Sequence, residues 1–159
     1  MKPGTFSLRA YTVTDEAAAI ELWRRTWQAA YPDIDFSARL AWWRERWRNE
    51  LVPACTIIVV ETSGGVAGVP LPRMVGFVTV NPTTGYLDQI VVAPEAWGSQ
   101  LARTLIDAAK QVAPMGLDLH VNQDNLRAIG FYKKHGFAIS GTDINARSGR
   151  PLFAMSWRP

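Results

Sequence analysis

Residues 117–137 read LDLHVNQDNLRAIGFYKKHGF, and this stretch decides the fold class. Leu117, Leu119 and Val121 alternate with polar residues, a period of two that predicts a β-strand. Residues 126–135 then carry a helical pattern, and Gly136 stands at the C-terminal cap position of that helix. A strand followed after a short turn by a helix predicts an α/β chain, and the remaining elements can be placed around this unit.

The same order of strand, turn and helix occurs upstream. Residues 86–92 form an apolar strand that ends before Pro94, and a short turn containing Gly98 follows. The helical stripe after the turn consists of Leu101, Leu105, Ile106, Ala109 and Val112. The first N–H groups of a helix have no internal partner and the helix dipole adds about half a positive charge, so this junction predicts a site for an anion such as a pyrophosphate. Many α/β proteins, however, contain such a junction for structural reasons alone.

Alternating and helical patterns also cover the first half of the chain. A strand is predicted over residues 6–13, with Thr14 as the cap of the helix that follows. Two amphipathic helices are indicated by the stripes Ile20, Trp23, Trp27 and Tyr31, and then Leu40, Trp43, Trp47 and Leu51. The arginines on their other faces, Arg46 among them, are interpreted first as solvated surface and second as a rim that attracts anions.

The remaining strands complete the fold prediction. They are expected over residues 55–61, 74–80, 138–146 and 152–157, and the Gly- and Pro-containing segment before residue 74 is interpreted as a hairpin connection. The strands at 55–61, 74–80 and 86–92 form a plausible antiparallel meander. The order β-α-α-β-β-β-α-β-α-β-β describes an α/β (α+β) fold, with a mixed, mainly antiparallel sheet of about seven strands and four helices packed on both faces.

Composition limits the class of protein. A chain of 159 residues with 48% apolar residues suits one domain, residues 1–159. No apolar run approaches the roughly 18 residues of a membrane span, and the first residues lack the apolar run of a secretory signal, so we expect no membrane partner and a cytoplasmic location. The net charge of +3 is spread along the chain and gives no reason to expect nucleic acid as a partner.

Cysteine and metal chemistry are not expected. Cys55 opens the apolar run of residues 55–60, which favours a buried thiol over a nucleophile. The two histidines, His120 and His135, are well separated from Cys55 along the chain, so the sequence predicts no metal site. The fingerprints of P-loop and dinucleotide-binding proteins are absent from the sequence, so the anion at the Gly98 junction belongs to another class of ligand.

Two stretches resemble the GNAT superfamily of N-acetyltransferases. Residues 97–102, WGSQLA, follow Val92-Ala93-Pro94 as the family motif Q/R-x-x-G-x-G/A follows V-x-P, with Trp97 in place of Gln or Arg and Gln100 in place of Gly. Residues 117–137 match L-x-L-x-V-x-x-x-N-x-x-A-x-x-F-Y-x-x-x-G-F almost position for position. The resemblance extends over residues 6–157, because the predicted order of elements is also that of the family.

The resemblance implies acetyl-coenzyme A as the co-substrate. Its pyrophosphate is expected to bind mainly to main-chain N–H groups, with Arg103 adding a charged contact, and Asn125 corresponds to the Asn that contacts the coenzyme arm. Main-chain N–H groups near Val91 and Val92 are expected to polarise the thioester carbonyl. The full set of expected coenzyme contacts is Val91, Val92, Trp97, Gly98, Ser99, Gln100, Leu101, Ala102, Arg103, Asn125 and Tyr132.

Tyr132 and Asp88 are the catalytic candidates. Tyr132 corresponds to the tyrosine that protonates the departing thiolate; the alternative is an aromatic core residue on its helix. An alkyl ammonium, with a pKa of about 10.4, must lose a proton before it attacks a thioester, so a base is expected. Asp88 stands where some relatives carry a glutamate that draws the proton through water, and a structural hydrogen-bonding or surface-ion role is its alternative. His120 is a second candidate for the base, or a satisfied structural histidine.

The acceptor is expected near Tyr31, Tyr86 and His120, although aromatic residues in this region also serve core packing. The resemblance implies an N-acetyltransferase that moves an acetyl group to a primary amine of a small-molecule or peptide acceptor, by direct attack in a ternary complex. The alternative is a non-catalytic module of the same fold that binds coenzyme A or an acyl-coenzyme A. Either a monomer or a homodimer is compatible with the sequence.

Overall fold

The computed structural model describes residues 6–62 and 73–159, and these residues contain seven β-strands. The strands are β1 (Phe6–Ala10), β2 (Thr56–Thr62), β3 (Arg73–Val80), β4 (Leu87–Val92), β5 (Leu117–Asn122), β6 (Ala138–Ile144) and β7 (Pro151–Trp157). The α-helices are α1 (Glu16–Ala30), α2 (Leu40–Arg46), α3 (Val52–Ala54), α4 (Leu101–Val112) and α5 (Leu126–Lys134). The predicted order of strands and main helices is confirmed, with the three-residue α3 as an addition.

The strands form two antiparallel sheets. The larger sheet has the order β1-β2-β3-β4 and the smaller one the order β5-β7-β6. The predicted meander of β2, β3 and β4 is confirmed by their antiparallel pairing. The predicted hairpin connection between β2 and β3 lies outside the described residues. The sheet is therefore mainly antiparallel, as expected, but it is divided in two.

The division occurs between β4 and β5, which run parallel and meet at one isolated bridge between Tyr86 and Asp118. At this point the Asp118 N–H donates to the Gly85 carbonyl over 3.0 Å. Gly85 has a φ of +76°, and a Cβ there would lie 2.4 Å from the Gly116 carbonyl oxygen. The close approach of these two backbone segments therefore requires glycine at residue 85. Beyond the bridge the two strands belong to separate sheets, which leaves a gap between them.

Helices cover both faces of the larger sheet. A Cβ on Gly76 of β3 would lie 3.2 Å from Leu105 and 3.5 Å from Leu101, so this face packs against α4. Phe77 points to the opposite face, where its ring centroid lies 5.3 Å from that of Trp47, just after α2. Phe77, Trp47 and Leu105 are fully buried. Burial of a Leu or Phe side chain stabilises a fold by about 1.5–3 kcal/mol, so the packing of helices on both faces stabilises the sheet that borders the gap.

Two predicted strand ends were wrong. The first strand ends at Ala10 instead of residue 13, because the main-chain N–H and hydroxyl of Thr12 both bond to the Asp15 carboxylate and start a 3₁₀ turn. Thr12, and not Thr14, therefore caps the helical segment. β6 ends at Ile144 instead of residue 146, because the Asn145 side chain accepts from two main-chain N–H groups of the following turn. Local hydrogen bonds of this kind compete with strand pairing.

The second predicted helix is not a continuous α-helix. α2 passes into a π-helix at Trp47–Leu51 and then into α3. The predicted apolar stripe is nevertheless buried at Trp43, Trp47 and Leu51, so its periodicity was interpreted correctly. Single π turns inside helices are frequent at functional sites, and here the turn begins directly after Arg46.

Candidate active site

The junction predicted to bind an anion has four main-chain N–H groups that donate to no acceptor among the described residues. They belong to Gly98, Gln100, Ala102 and Arg103, in the segment of residues 97–103 that we call the amide loop. Gly98 has a φ of +79°, and a Cβ there would meet nothing within 4 Å, so the loop surface is open. Unpaired N–H groups at the positive end of the 12-residue helix α4 make this loop suitable for an anion.

Gln100 does not strain the turn although it replaces a glycine of the family motif. Its φ of −73° and ψ of −2° are accessible to any residue, and it forms the N-terminal boundary of α4. Ser99 shapes the same turn, because its hydroxyl donates to the Ala96 carbonyl over 2.5 Å and accepts from the Leu101 N–H over 3.3 Å. The Arg103 side chain is 66% exposed, and its nearest ionic partner, Asp107, is 3.9 Å away. Arg103 can therefore turn toward a ligand.

Trp97 ties the amide loop to the end of β4. Its indole Nε1 donates to the Val92 carbonyl oxygen over 2.8 Å, and the Arg127 guanidinium lies 5.0 Å from the centre of its ring. A Gln or Arg, as in the family motif, also has N–H donors but has no aromatic ring to place beside Arg127. Trp97 therefore replaces a polar side chain by an aromatic wall between β4 and the start of α5.

Val91 and Val92 present their main-chain groups in opposite directions. Val91 pairs with Phe77 of β3, and the Ala93 N–H donates to the Val75 carbonyl of the same strand. Because main-chain groups alternate along a strand, those of Val92 point away from β3 and toward the gap, which agrees with the Trp97 contact. Val92 is thus the better placed of the two predicted residues.

Asn125 is the N-cap residue of α5, and Tyr132 lies within this helix. The side-chain oxygen of Asn125, Oδ1, caps the helix by accepting from the Ala128 N–H over 3.2 Å, and the side-chain NH₂ group has no acceptor among the described residues. Tyr132 is 8% exposed, packs between Phe131 and Phe137, and burial raises the pKa of its phenol well above the ordinary value. No described residue forms a hydrogen bond with its hydroxyl. Tyr132 is thus a core aromatic residue whose phenol keeps its proton.

Asp88 is held by a partner that the sequence did not reveal. Both of its carboxylate oxygens accept from the Arg46 guanidinium, over 2.8 and 2.5 Å, and Gln89 donates to one of them over 3.1 Å. The bond to Asp88 raises the pKa of Arg46, and the first interpretation of Arg46 as solvated surface was wrong, since its side chain is 25% exposed. The pairing of β3 with β4 changes register beside Asp88, since Gln89 pairs with Thr79 but Leu87 pairs with Val80. This β-bulge sets the direction in which the Asp88 carboxylate points.

Tyr86 and His120 form the second polar contact of the site. The Tyr86 hydroxyl lies 2.8 Å from His120 Nδ1, and His120 Nε2 lies 3.5 Å from an Asp143 carboxylate oxygen. Burial raises the pKa of Tyr86 to about 12, with a smaller contribution from the negative charge of Asp88. The contact joins the residue before β4 to β5, beside the bridge at which the two sheets divide.

Tyr31 joins three elements of the predicted acceptor region. Its hydroxyl accepts from the Asn122 amide over 3.0 Å and donates to Asp124 over 3.1 Å. Arg150, in the turn between β6 and β7, lies 5.3 Å from the Tyr31 ring centre and 3.4 Å from Asp124. The connection after α1, strand β5 and the final hairpin therefore meet. We call the surface formed by Tyr31, Arg46, Tyr86, Asp88, His120, Asn122, Asp124, Asp143 and Arg150 the polar face.

The remaining chemical groups contribute little to the site. Burial raises the pKa of Cys55 to about 11, so its half-buried thiol is protonated at neutral pH and is a poor nucleophile. Within residues 6–62 and 73–159, no group of three His, Cys, Asp or Glu side chains is arranged to hold a metal ion. No helix in this part of the chain is long and apolar enough to cross a membrane.

Similar structures share this architecture. The PaiA N-acetyltransferase of Thermoplasma acidophilum, solved with coenzyme A, superposes with a TM-score of 0.77 at 19% identity, over 98% of this chain and 99% of that one. The solution structure of apo YjaB from Escherichia coli gives a TM-score of 0.73 at 22% identity, over 96% of this chain and 97% of that one. At these identities the likeness establishes the fold.

Sequence similarity establishes the family. The peptidyl-lysine N-acetyltransferase YjaB of Salmonella typhimurium is 30% identical over 132 residues, which are 83% of this chain and 83% of that protein. Residues 17–137 match the acetyltransferase (GNAT) family, and this match covers most of the chain, from α1 to the residue before β6. The chain therefore belongs to the GNAT family of acetyltransferases.

Proposed function

We propose that this acyltransferase moves an acetyl group from acetyl-coenzyme A to the primary amine of a small molecule or peptide, by direct attack in a ternary complex. The observation that carries the proposal is the set of four unpaired N–H groups in the amide loop, beside the gap between β4 and β5. A diphosphate at this loop and an amine on the polar face would leave the gap for the thioester. Binding of both substrates before transfer then requires no covalent intermediate on the protein.

The amide loop supplies charge stabilisation from the main chain. Its N–H groups suit the two phosphates of the coenzyme, and the exposed Arg103 adds a charge-assisted contact. The free NH₂ group of Asn125 suits an amide carbonyl of the coenzyme arm. The Val92 N–H suits the thioester carbonyl oxygen, where negative charge develops during attack.

Tyr132 is proposed as the general acid that protonates the departing thiolate. Burial keeps its phenol protonated across the neutral range, and its hydroxyl is not committed to any described residue. An acid helps because the sulfur then leaves the tetrahedral intermediate as a neutral thiol and not as an anion. A phenol next to the leaving sulfur supplies that proton at the moment the intermediate collapses.

Proton removal from the amine by Asp88 stays a prediction. The bidentate contact with Arg46 occupies both oxygens of the carboxylate. This contact favours the structural alternative for Asp88. If Asp88 is the base, it would take the proton from the amine through a water molecule. The carboxylates of the polar face also attract an ammonium group, which fits a lysine side chain such as the acceptor named for YjaB.

The proposal is tested by titrating the protein with acetyl-coenzyme A and then measuring free thiol release with a panel of amines. The panel contains a lysine peptide, a peptide with a free N-terminus, a polyamine and an aminoglycoside. Binding on the order of micromolar together with thiol release and a mass increase of the acceptor supports the enzyme. Binding without turnover of any amine supports the alternative of a coenzyme sensor, and the absence of binding refutes both.

A further inference from the structure

The contact between Tyr86 and His120 has no role in the proposal above, although it lies where the two sheets divide. Tyr86 directly precedes β4 and His120 lies on β5, and their polar atoms are 2.8 Å apart. The Tyr86 hydroxyl also lies within electrostatic reach of Asp88, Arg46 and Asp143, so it belongs to the polar face. A hydrogen-bonded Tyr and His that bridge the edges of an active-site gap can move a proton.

The direction of the hydrogen bond follows from the surroundings. Tyr86 is half-buried and carries its hydroxyl proton at neutral pH, so it donates to His120 Nδ1. The proton of a neutral His120 is then on Nε2, which faces the Asp143 carboxylate at 3.5 Å. In this arrangement Nδ1 is the nitrogen that can accept a proton, and a proton reaches it through the Tyr86 oxygen.

We propose that Tyr86 and His120 form the proton relay that deprotonates the acceptor amine, with Tyr86 in contact with the amine and Asp143 positioning His120. One N–H bond of the ammonium breaks and its proton binds to the Tyr86 oxygen. At the same time the hydroxyl proton of Tyr86 passes to His120 Nδ1. The products are a neutral amine, an intact Tyr86 phenol and an imidazolium, which can release its proton to solvent.

The charges around the relay suit this transfer. Asp143 from β6 stabilises the imidazolium, while Asp88 nearby on β4 is already neutralised by Arg46 from α2. Asp118, two residues before His120 on the same face of β5, is held by Ser156 and Arg158. Asp143 is thus the carboxylate in direct reach of His120, and its side chain is 61% exposed, so water can carry the proton away.

The relay rests on the proposed function, and the pH dependence of kcat/KM tests it separately. The substitution Tyr86→Phe keeps the ring and removes the hydroxyl. We expect kcat/KM to fall about 100-fold at pH 7 with the amine of the panel that the wild type acetylates fastest. The loss should shrink to about threefold near pH 10, because roughly a third of an alkyl amine with a pKa of about 10.4 is then already neutral and needs no base. A merely structural defect would lower the rate equally at every pH.

His120→Asn should give the same pH-dependent loss, and neither substitution should change the affinity for acetyl-coenzyme A. The matched controls are Tyr11→Phe, whose hydroxyl contacts Trp47 away from the gap, and His135→Asn at the end of α5; both should keep the wild-type pH profile. A loss in Tyr86→Phe that is constant with pH overturns the relay, and so does a pH-dependent loss confined to Asp88→Asn. A wild type that acetylates no amine refutes the proposed function itself, and the relay with it.

Discussion

The two sides of the gap between β4 and β5 are built from different parts of the chain. The amide loop offers main-chain N–H groups, and four of its side chains, those of Trp97, Ser99, Gln100 and Arg103, are exposed. The polar face consists of side-chain pairs such as Arg46 with Asp88 and Tyr86 with His120. Main-chain donors persist when side chains change, whereas a side-chain pair is lost with either partner. We therefore expect departures from the family motif to be tolerated in the loop, and substitutions on the polar face to cost more.

Tyr132→Phe should have the largest effect, because the proposed acid has no neighbour that could replace it. We expect kcat to fall by about 10²- to 10³-fold, with less than a twofold change in the affinity for acetyl-coenzyme A. Steady-state kinetics and a binding titration measure the two quantities. The conservative loss of one oxygen leaves the packing against Phe131 and Phe137 in place, so unfolding should be unaffected. A variant with the full rate across the pH range would show that Tyr132 is only a core residue.

Arg46→Gln tests the cost of breaking a pair on the polar face. It leaves Asp88, whose side chain is 12% exposed, without its charged partner. We expect the free energy of unfolding to fall by about 2 kcal/mol in denaturant titrations. Arg44→Gln is the matched control on the same helix, since Arg44 is exposed, and it should cost less than about 0.5 kcal/mol.

The same pair also separates the two roles of Asp88. If Asp88 is structural, Asp88→Asn and Arg46→Gln should lower stability and turnover to a similar extent. If Asp88 is the base, Asp88→Asn alone should abolish most of the turnover at neutral pH, while Arg46→Gln keeps it. Equal stability of the Arg44 and Arg46 variants would contradict the view that this face depends on its pairs.

Part of this contrast between the amide loop and the polar face could be predicted from the sequence. The unit at residues 117–137 and the helical start after Gly98 were predictable, because periodicity and glycine placement are local signals. Arg46 with Asp88 and Tyr86 with His120 were not, since their partners are 42 and 34 residues apart and no period links them. The end of β1 was missed because the Thr12 contact with Asp15 competes with strand pairing.

Gly98→Ala tests the opposite side, where only the backbone should matter. The residue has a φ of +79° with open space around it, so an added methyl group clashes with nothing but forces an unfavourable conformation. That conformation costs roughly 1–2 kcal/mol in an L-residue, and we expect the Kd of acetyl-coenzyme A to rise about tenfold as the loop relaxes. Gly149→Ala is the control, with a φ of +73° and equally open surroundings. Its stability should fall similarly, but its affinity for acetyl-coenzyme A should not change.

The amide side does use one ion pair, and its pH dependence gives the smallest expected effect. Glu95, in the turn that leads from β4 to the loop, accepts from Arg25 of α1 over 2.7 and 3.0 Å. The bond to Arg25 lowers the pKa of Glu95 from its ordinary 4.5 to about 2. A carboxyl whose pKa is lower in the folded state stabilises the fold above the unfolded pKa, and this stabilisation disappears as the pH falls from about 4.5 toward 2.

Arg25→Gln should therefore lower the free energy of unfolding by about 0.5–1 kcal/mol at pH 7, a value kept small because Glu95 is 45% exposed and Arg73 still contacts it. Urea titrations at pH 7, 4 and 2.5 measure the difference from the wild type, which should decline through this window and be smallest at the lowest pH. Arg44→Gln again serves as the control, with a difference that is small at every pH. A difference for Arg25→Gln that is as large at pH 2.5 as at pH 7 would mean that Arg25 anchors the loop by packing, and that side chains matter on the amide side after all.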